Sequence, residues 1–242
     1  MADAVRLAVT GGLHVILIGA AALSVAAFTI AWLIRDPRCA PAPPTTPTHP
    51  PLPQPVIDRL DMQFFCYHRD RPGSAALREK LVEEHWSYMD RYAAQLIARG
   101  PTLDGDTATG SVHIVDLPDL AAARAFAFDE PSFQAGVYRD VMLRRWRNVL
   151  GRTMWDFPGG REGGNRYLVL GLGTGQAADL VPPSDRRDDL IAYGPLLSDD
   201  GVTWLGTAVL IRATDRDTAR TVLAQDRYAG IEVHDWQFGG RR

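Results

Sequence analysis

Hydrophobic and polar positions divide the chain into three regimes. From Leu13 to Ile34 there are 22 residues without Asp, Glu, Lys or Arg. At 1.5 Å rise per residue such a run reaches about 30 Å, the thickness of a bilayer's hydrocarbon core. The pattern predicts one transmembrane helix within residues 1–35, with Trp32 near an interface where aromatics collect. A cleaved signal peptide has a shorter apolar region, and Asp36-Pro37-Arg38 before Cys39 lacks the small apolar residues of a lipoprotein cleavage site. Arg35 and Arg38 after the span outnumber Arg6 before it, which places the carboxyl-terminal part on the cytoplasmic side. Residues 36–61 follow as a linker. Its stretch Pro37 to Pro55 holds nine prolines and predicts an extended polyproline II spacer. Met62 stands directly before the first strand and is the alternative start, which would make the protein cytoplasmic and soluble.

Beyond Met62 the pattern turns globular and repeats. Leu96-Ile97-Ala98-Arg99-Gly100-Pro101 returns as Leu190-Ile191-Ala192-Tyr193-Gly194-Pro195. Strand-like Gly110–Val115 matches Gly206–Ile211, and short helices follow each, Asp119 to Phe128 and Asp215 to Ala224, the second capped by Thr214 or Asp215. Gln134-Ala135-Gly136 pairs with Tyr228-Ala229-Gly230, and each copy closes on an apolar strand ending in Trp146 or Trp236. With opening strands near 63–68 and 166–171, each copy reads β-α-β-β-α-β, the ferredoxin-like order. The expected fold class is therefore α+β: two tandem ferredoxin-like modules, 62–158 and 159–242, forming an intramolecular pseudo-dimer. Their open sheet faces should pack together, with any pocket between sheet and helices. Homo-oligomerisation is compatible with this plan and not required by it. In the first copy a long amphipathic helix is predicted over Ser74–Arg99, with Leu77, Leu81, His85, Tyr88, Tyr92 and Leu96 on one stripe. In the second, Pro182-Pro183 and the charges from Asp185 to Asp189 allow only a short helix.

Composition narrows the function classes. A net charge of -3 gives no electrostatic reason for nucleic acid as a partner. The cysteines Cys39 and Cys66 make no disulfide framework, and no His/Cys/Asp spacing matches a structural zinc site. Gly171-Leu172-Gly173-Thr174-Gly175 follows a strand but lacks the Lys-Ser/Thr of a phosphate loop. The tryptophans read as packing residues.

The helix bearing His85, the Gly100-Pro101 turn, the strand after Gly110 and the stretch Glu130-Pro131-Ser132-Phe133-Gln134-Ala135-Gly136 resemble the YciI-like (YCII-related) family of dimeric α/β-barrel proteins. In the second copy Gly194-Pro195, Gly206 and Asp226-Arg227-Tyr228-Ala229-Gly230 carry the likeness. The resemblance implies small enzymes of the muconolactone-isomerase and dehalogenating type, with a His and a turn carboxylate as the acid/base pair. Carried over, these are His85 and Glu130, with Asp129 beside it. No His occupies the shortened second helix, so a complete pair is expected in the first copy alone.

His85 on the apolar stripe reads either as a proton shuttle beside a carboxylate or as a hydrogen-bonded core histidine. Asp129 and Glu130 read as its partners or as a solvated turn. His113 lies on a strand whose neighbours Val112 and Ile114 face the other way; an inter-sheet cleft is the lesser of its readings, and His68 is expected at the surface. The expected function is a cofactor-free lyase or isomerase on a small organic acid. The alternatives are a non-catalytic, membrane-tethered module that binds a small molecule or a protein, and a purely structural interaction domain.

Overall fold

The computed structural model describes residues 62–173 and 175–240. The expected membrane span and the proline-rich linker, Cys39 included, lie outside the described residues. Among the described residues no helix is long and apolar enough to cross a membrane.

The first module runs β1 (Gln63–Asp70), α1 (Ala75–Lys80), α2 (Val82–Asp90), β2 (Leu96–Asp104), β3 (Thr107–Asp116), α3 (Leu120–Phe128), α4 (Pro131–Gln134) and β4 (Tyr138–Trp146). The second runs β5 (Asn165–Gly173), β6 (Leu190–Leu197), β7 (Trp204–Ala213), α5 (Arg216–Arg220) and β8 (Tyr228–Trp236). Asp119 and Asp215 cap α3 and α5 by accepting the N–H of Ala122 and of Thr218. Where the first module has α1 and α2, the second has a single 3₁₀ turn, Ser184–Arg186, as its prolines and charges foretold.

The eight strands close an antiparallel barrel in the order β1-β3-β2-β8-β5-β7-β6-β4. Each module contributes a four-stranded ferredoxin-like sheet. The open faces of the two sheets pack together as the barrel interior, and the sheets also join edge to edge. The seams are short: Thr102 and Leu103 meet Trp236 and Asp235, while Arg145 and Trp146 meet Leu197 and Leu196. Inside the barrel Phe65, Val112 and Trp146 of one module pack with Leu168, Leu210 and Trp236 of the other. Met154 and Phe157, from the inter-module connection, join the same core. Outside, α2 and α3 cover sheet one through Tyr88, Met89 and Phe126, and Ala219, Val222 and Leu223 cover sheet two.

Two expectations need correction. The helix predicted over Ser74–Arg99 is broken at Leu81 and ends at Asp90, and Leu96–Asp104 is a strand. Leu96, Ile97 and Ala98 are buried on both the barrel side and the helix side. A strand buried on both faces loses the alternation that distinguishes it from a helix. Nor is Gly100-Pro101 a turn: it lies within β2, as Gly194-Pro195 lies within β6. The glycine is there for the seam. A Cβ on Gly100 would fall 1.8 Å from the Gln237 carbonyl oxygen and 2.9 Å from the Trp236 indole. One on Gly194 would fall 1.9 Å from the Arg147 carbonyl oxygen and 2.7 Å from the Trp146 indole. The end of each module's last strand thus crosses the other module at a position where only hydrogen fits. The repeated motif marks closure of the barrel. The pairing of Gly136 with Gly230 also shifts, because Tyr138 and Tyr228 are the residues that open β4 and β8.

Candidate functional site

The Glu130-Pro131-Ser132-Phe133-Gln134-Ala135-Gly136 stretch is one capped helical turn. Pro131 occupies the first position of α4, where its missing N–H costs nothing. Gly136 (φ 81°) donates to the Phe133 carbonyl and Val137 to the Ser132 carbonyl, closing the turn in a Schellman arrangement. Glu130 is the N-cap. Its Oε2 accepts the Phe133 N–H at 2.8 Å, and its Oε1 lies 2.8 Å from His85 Nδ1. Burial alone would raise the Glu130 carboxyl. The hydrogen bond and charge of His85, with the Ser132 and Phe133 amides, outweigh it and hold the group below its ordinary value. An ionised carboxylate only accepts, so the hydrogen in the contact belongs to Nδ1. In the neutral imidazole Nε2 is then the bare, basic nitrogen.

His85 lines a cavity of about 350 Å³ between α1–α2 and the outer face of β2–β3. His113 lies on that face, its ring centroid 5.7 Å from that of His85, while Val112 and Ile114 point into the barrel. It therefore faces the helices rather than an inter-sheet cleft. Arg78 also lines the cavity. Its guanidinium donates to Asp70 at 2.9 Å and to the Ser111 hydroxyl at 2.7 Å. Two guanidiniums, Arg78 and Arg99, and the two histidines line the space, and among the described residues no Asp or Glu does. The carboxylates of Asp70 and Asp90 pair with Arg78 and Arg99, and that of Glu130 with His85. Trp86, Met89 and Phe238 supply apolar wall.

His68 is not at the surface. It is fully buried, donates from Nε2 to the Ala127 carbonyl at 2.8 Å, and has the Cys66 thiol 3.6 Å from Nδ1. Burial pushes its pKa down to about 4, and pushes that of His113 well below the ordinary range. Both are held neutral. Burial raises the Cys66 thiol, which leaves it protonated and unreactive.

Of the three residues expected at the site, the structure brings His85 and Glu130 together and leaves Asp129 out. Asp129 closes α3 with its side chain exposed. Arg78 was missed, although its place seven residues before His85 puts it two helical turns back along the same side. Phe238 carried no sequence signal, being contributed by the other module. Among the described residues, no three His, Cys, Asp or Glu side chains are grouped to hold a metal ion.

Ladder rows show what became of the same place in module two. Cys66, His113 and Arg99 form one row; Val169, Val209 and Tyr193 form its equivalent. One row along, His68 is replaced by Gly171, and the space beside Gly171 is filled by Tyr228 and Leu223. Tyr228 donates to the Asp179 carboxylate at 2.8 Å, and Tyr193 to the Asp179 carbonyl at 2.9 Å. The second site is a packed core.

The model of the YCII-related domain family matches residues 62–147. This segment is a YCII-related domain. An uncharacterized protein of Haemophilus influenzae is 28% identical over 97 residues, spanning 36% of this chain and 99% of the relative. Among solved structures, a 5-chloro-2-hydroxyhydroquinone dehydrochlorinase from Burkholderia phenoliruptrix, in complex with 2,5-dihydroxybenzoquinone, aligns with 28% identity over 36% of this chain and 95% of its own, at TM-score 0.34. An anthrone oxidase-like protein aligns with 14% identity over 77% of this chain and 95% of its own, at TM-score 0.47. The family match spans the strands and helices that build the cavity, from β1 to the end of β4. His85 and Glu130 both fall within the YCII-related domain.

Proposed function

We propose that the YCII-related domain is a proton-transfer enzyme of lyase or isomerase type acting on a small organic acid. The observation that carries it is the buried Glu130 locked on His85 Nδ1 beside a cavity lined by cationic but no acidic side chains. Arg78 and Arg99 would hold the substrate carboxylate. Nε2 of His85 would remove a proton from a nearby carbon, and the C–H electron pair would form a new π bond. In an isomerisation the displaced π electrons take the proton back at another carbon. In an elimination a leaving group departs with its own pair. Glu130 stabilises the imidazolium in either case.

Deuterium exchange tests this without knowledge of the substrate. Small unsaturated and hydroxylated carboxylic acids incubated with the protein in D₂O should exchange carbon-bound hydrogen for deuterium, followed by NMR. With His85→Ala the rate should fall by about 10²–10⁴. Equal exchange with the variant, or none on any acid with the wild type, would count against an enzyme. Binding without exchange would turn the reading to a non-catalytic ligand-binding module. In either reading the apolar run 13–34 would tether the domain at the cytoplasmic face of a membrane.

A further inference from the structure

Part of the cavity wall comes from module two. After β8 the chain crosses β2, with Gln237 N–H donating to the Pro101 carbonyl and Gly239 N–H to the Arg99 carbonyl, 3.2 and 3.0 Å. Phe238, Gly239 and Gly240 then line the cavity beside Arg99. Module one makes the same crossing over β6, where Val149 N–H donates to the Tyr193 carbonyl at 3.0 Å. The two hydrogen bonds put Asn148-Val149-Leu150 in the place of Phe238-Gly239-Gly240. In module two Leu150 is buried and Val149 packs against the core that fills the second site. In module one the two glycines send no side chain there: a Cβ on Gly239 would fall 2.7 Å from the Gly100 Cα and one on Gly240 2.2 Å from the Arg99 guanidinium, so Arg99 takes that place, and Phe238 is the one side chain in the segment with bulk. Its ring is held from behind: Arg166 lies over it at 4.9 Å from the centroid, and Trp236 packs at 5.2 Å.

We infer that Phe238, presented by the module-two crossing segment, sets the size of ligand the module-one site accepts, with Gly239 and Gly240 leaving room for β2 and the Arg99 guanidinium in the same wall. The site is thus composite, and module two acts as a specificity element rather than as a second catalytic unit. The inference rests on the ligand-binding reading above and concerns a different residue.

Two readouts on the full chain separate the two claims. Diethyl pyrocarbonate acylates accessible imidazoles, and peptide mass spectrometry reports His85 against His234, which lies outside the cavity. In Phe238→Ala the His85 rate should rise several-fold with His234 unchanged, and in Phe238→Trp it should fall. Calorimetric titration with benzoate and 2-naphthoate gives the second readout. The ratio of the two dissociation constants should move about tenfold towards 2-naphthoate in Phe238→Ala, and the other way in Phe238→Trp. An unchanged His85 rate in both variants, or equal acceleration of His85 and His234, overturns the inference. Failure of both acids to bind the wild type, with the acylation rates moving as expected, would count against the organic-acid site and leave Phe238 as its wall.

Discussion

Glu130→Gln should reduce exchange or turnover by about 10²–10⁴ while leaving the barrel folded. The hydrogens of His85 Nδ1 and of the Phe133 amide each meet their own Glu130 carboxylate oxygen at 2.8 Å, with the Ser132 amide beside them. A glutamine amide has one oxygen. If that oxygen keeps Phe133, the amide NH₂ faces Nδ1, and the imidazole must move its hydrogen to Nε2, where it can no longer act as a base. If the oxygen keeps His85, the NH₂ opposes the Phe133 N–H and the cap fails. The first outcome keeps both contacts and removes the base; the second costs about 1–3 kcal/mol of stability, since the buried Phe133 amide loses its partner. Glu130→Asp keeps the charge but shortens the reach by one methylene, so it should retain part of the activity. Wild-type rates in Glu130→Gln would show that the pair is structural only.

Acid should destabilise the domain well before its carboxylates titrate. His68 has a folded pKa of about 4 against about 6.5 when unfolded. The unfolded chain therefore binds the proton first as pH drops. Stability from keeping His68 neutral is fully present above pH 6.5 and is lost progressively down to about pH 4, about 3 kcal/mol in all. His113, lowered for the same reason of burial, adds loss in the same direction. Glu130 is also depressed, but its contribution fades lower, as pH falls below the usual glutamate value of about 4.3. Urea midpoints measured between pH 7 and 4 should fall steeply. His68→Gln, which can still donate to the Ala127 carbonyl, should flatten that fall. Identical slopes for the two proteins would mean that His68 is not buried as a neutral group.

Much of this was legible in the chain, and the parts that were not share a cause. The internal repeat and the cap Asp215 follow local rules of recurrence and side-chain capping that need no tertiary information. β2 and β6 did not, because strands buried on both faces read as plain apolar runs. The same ambiguity left His113 open: Val112 and Ile114 clearly face the other way, but with both faces buried nothing local says which faces the helices. His68 was drawn to the surface by neighbours Arg69 and Arg71, which lie just beyond the buried stretch of β1. Choosing Glu130 over Asp129 required the α4 cap, which turns one carboxylate inward and leaves the other in water. Phe238 lies 153 residues from His85 and meets the cavity only through barrel closure.

The most direct test is the tautomer of His85, read by ¹⁵N NMR of histidine-labelled protein under conditions where the imidazole is neutral. The Glu130 contact requires the hydrogen on Nδ1 and a bare Nε2, with the Nε2 shift moving when benzoate is added. A hydrogen on Nε2, or an Nε2 shift indifferent to benzoate, would contradict a ligand-facing base held by Glu130.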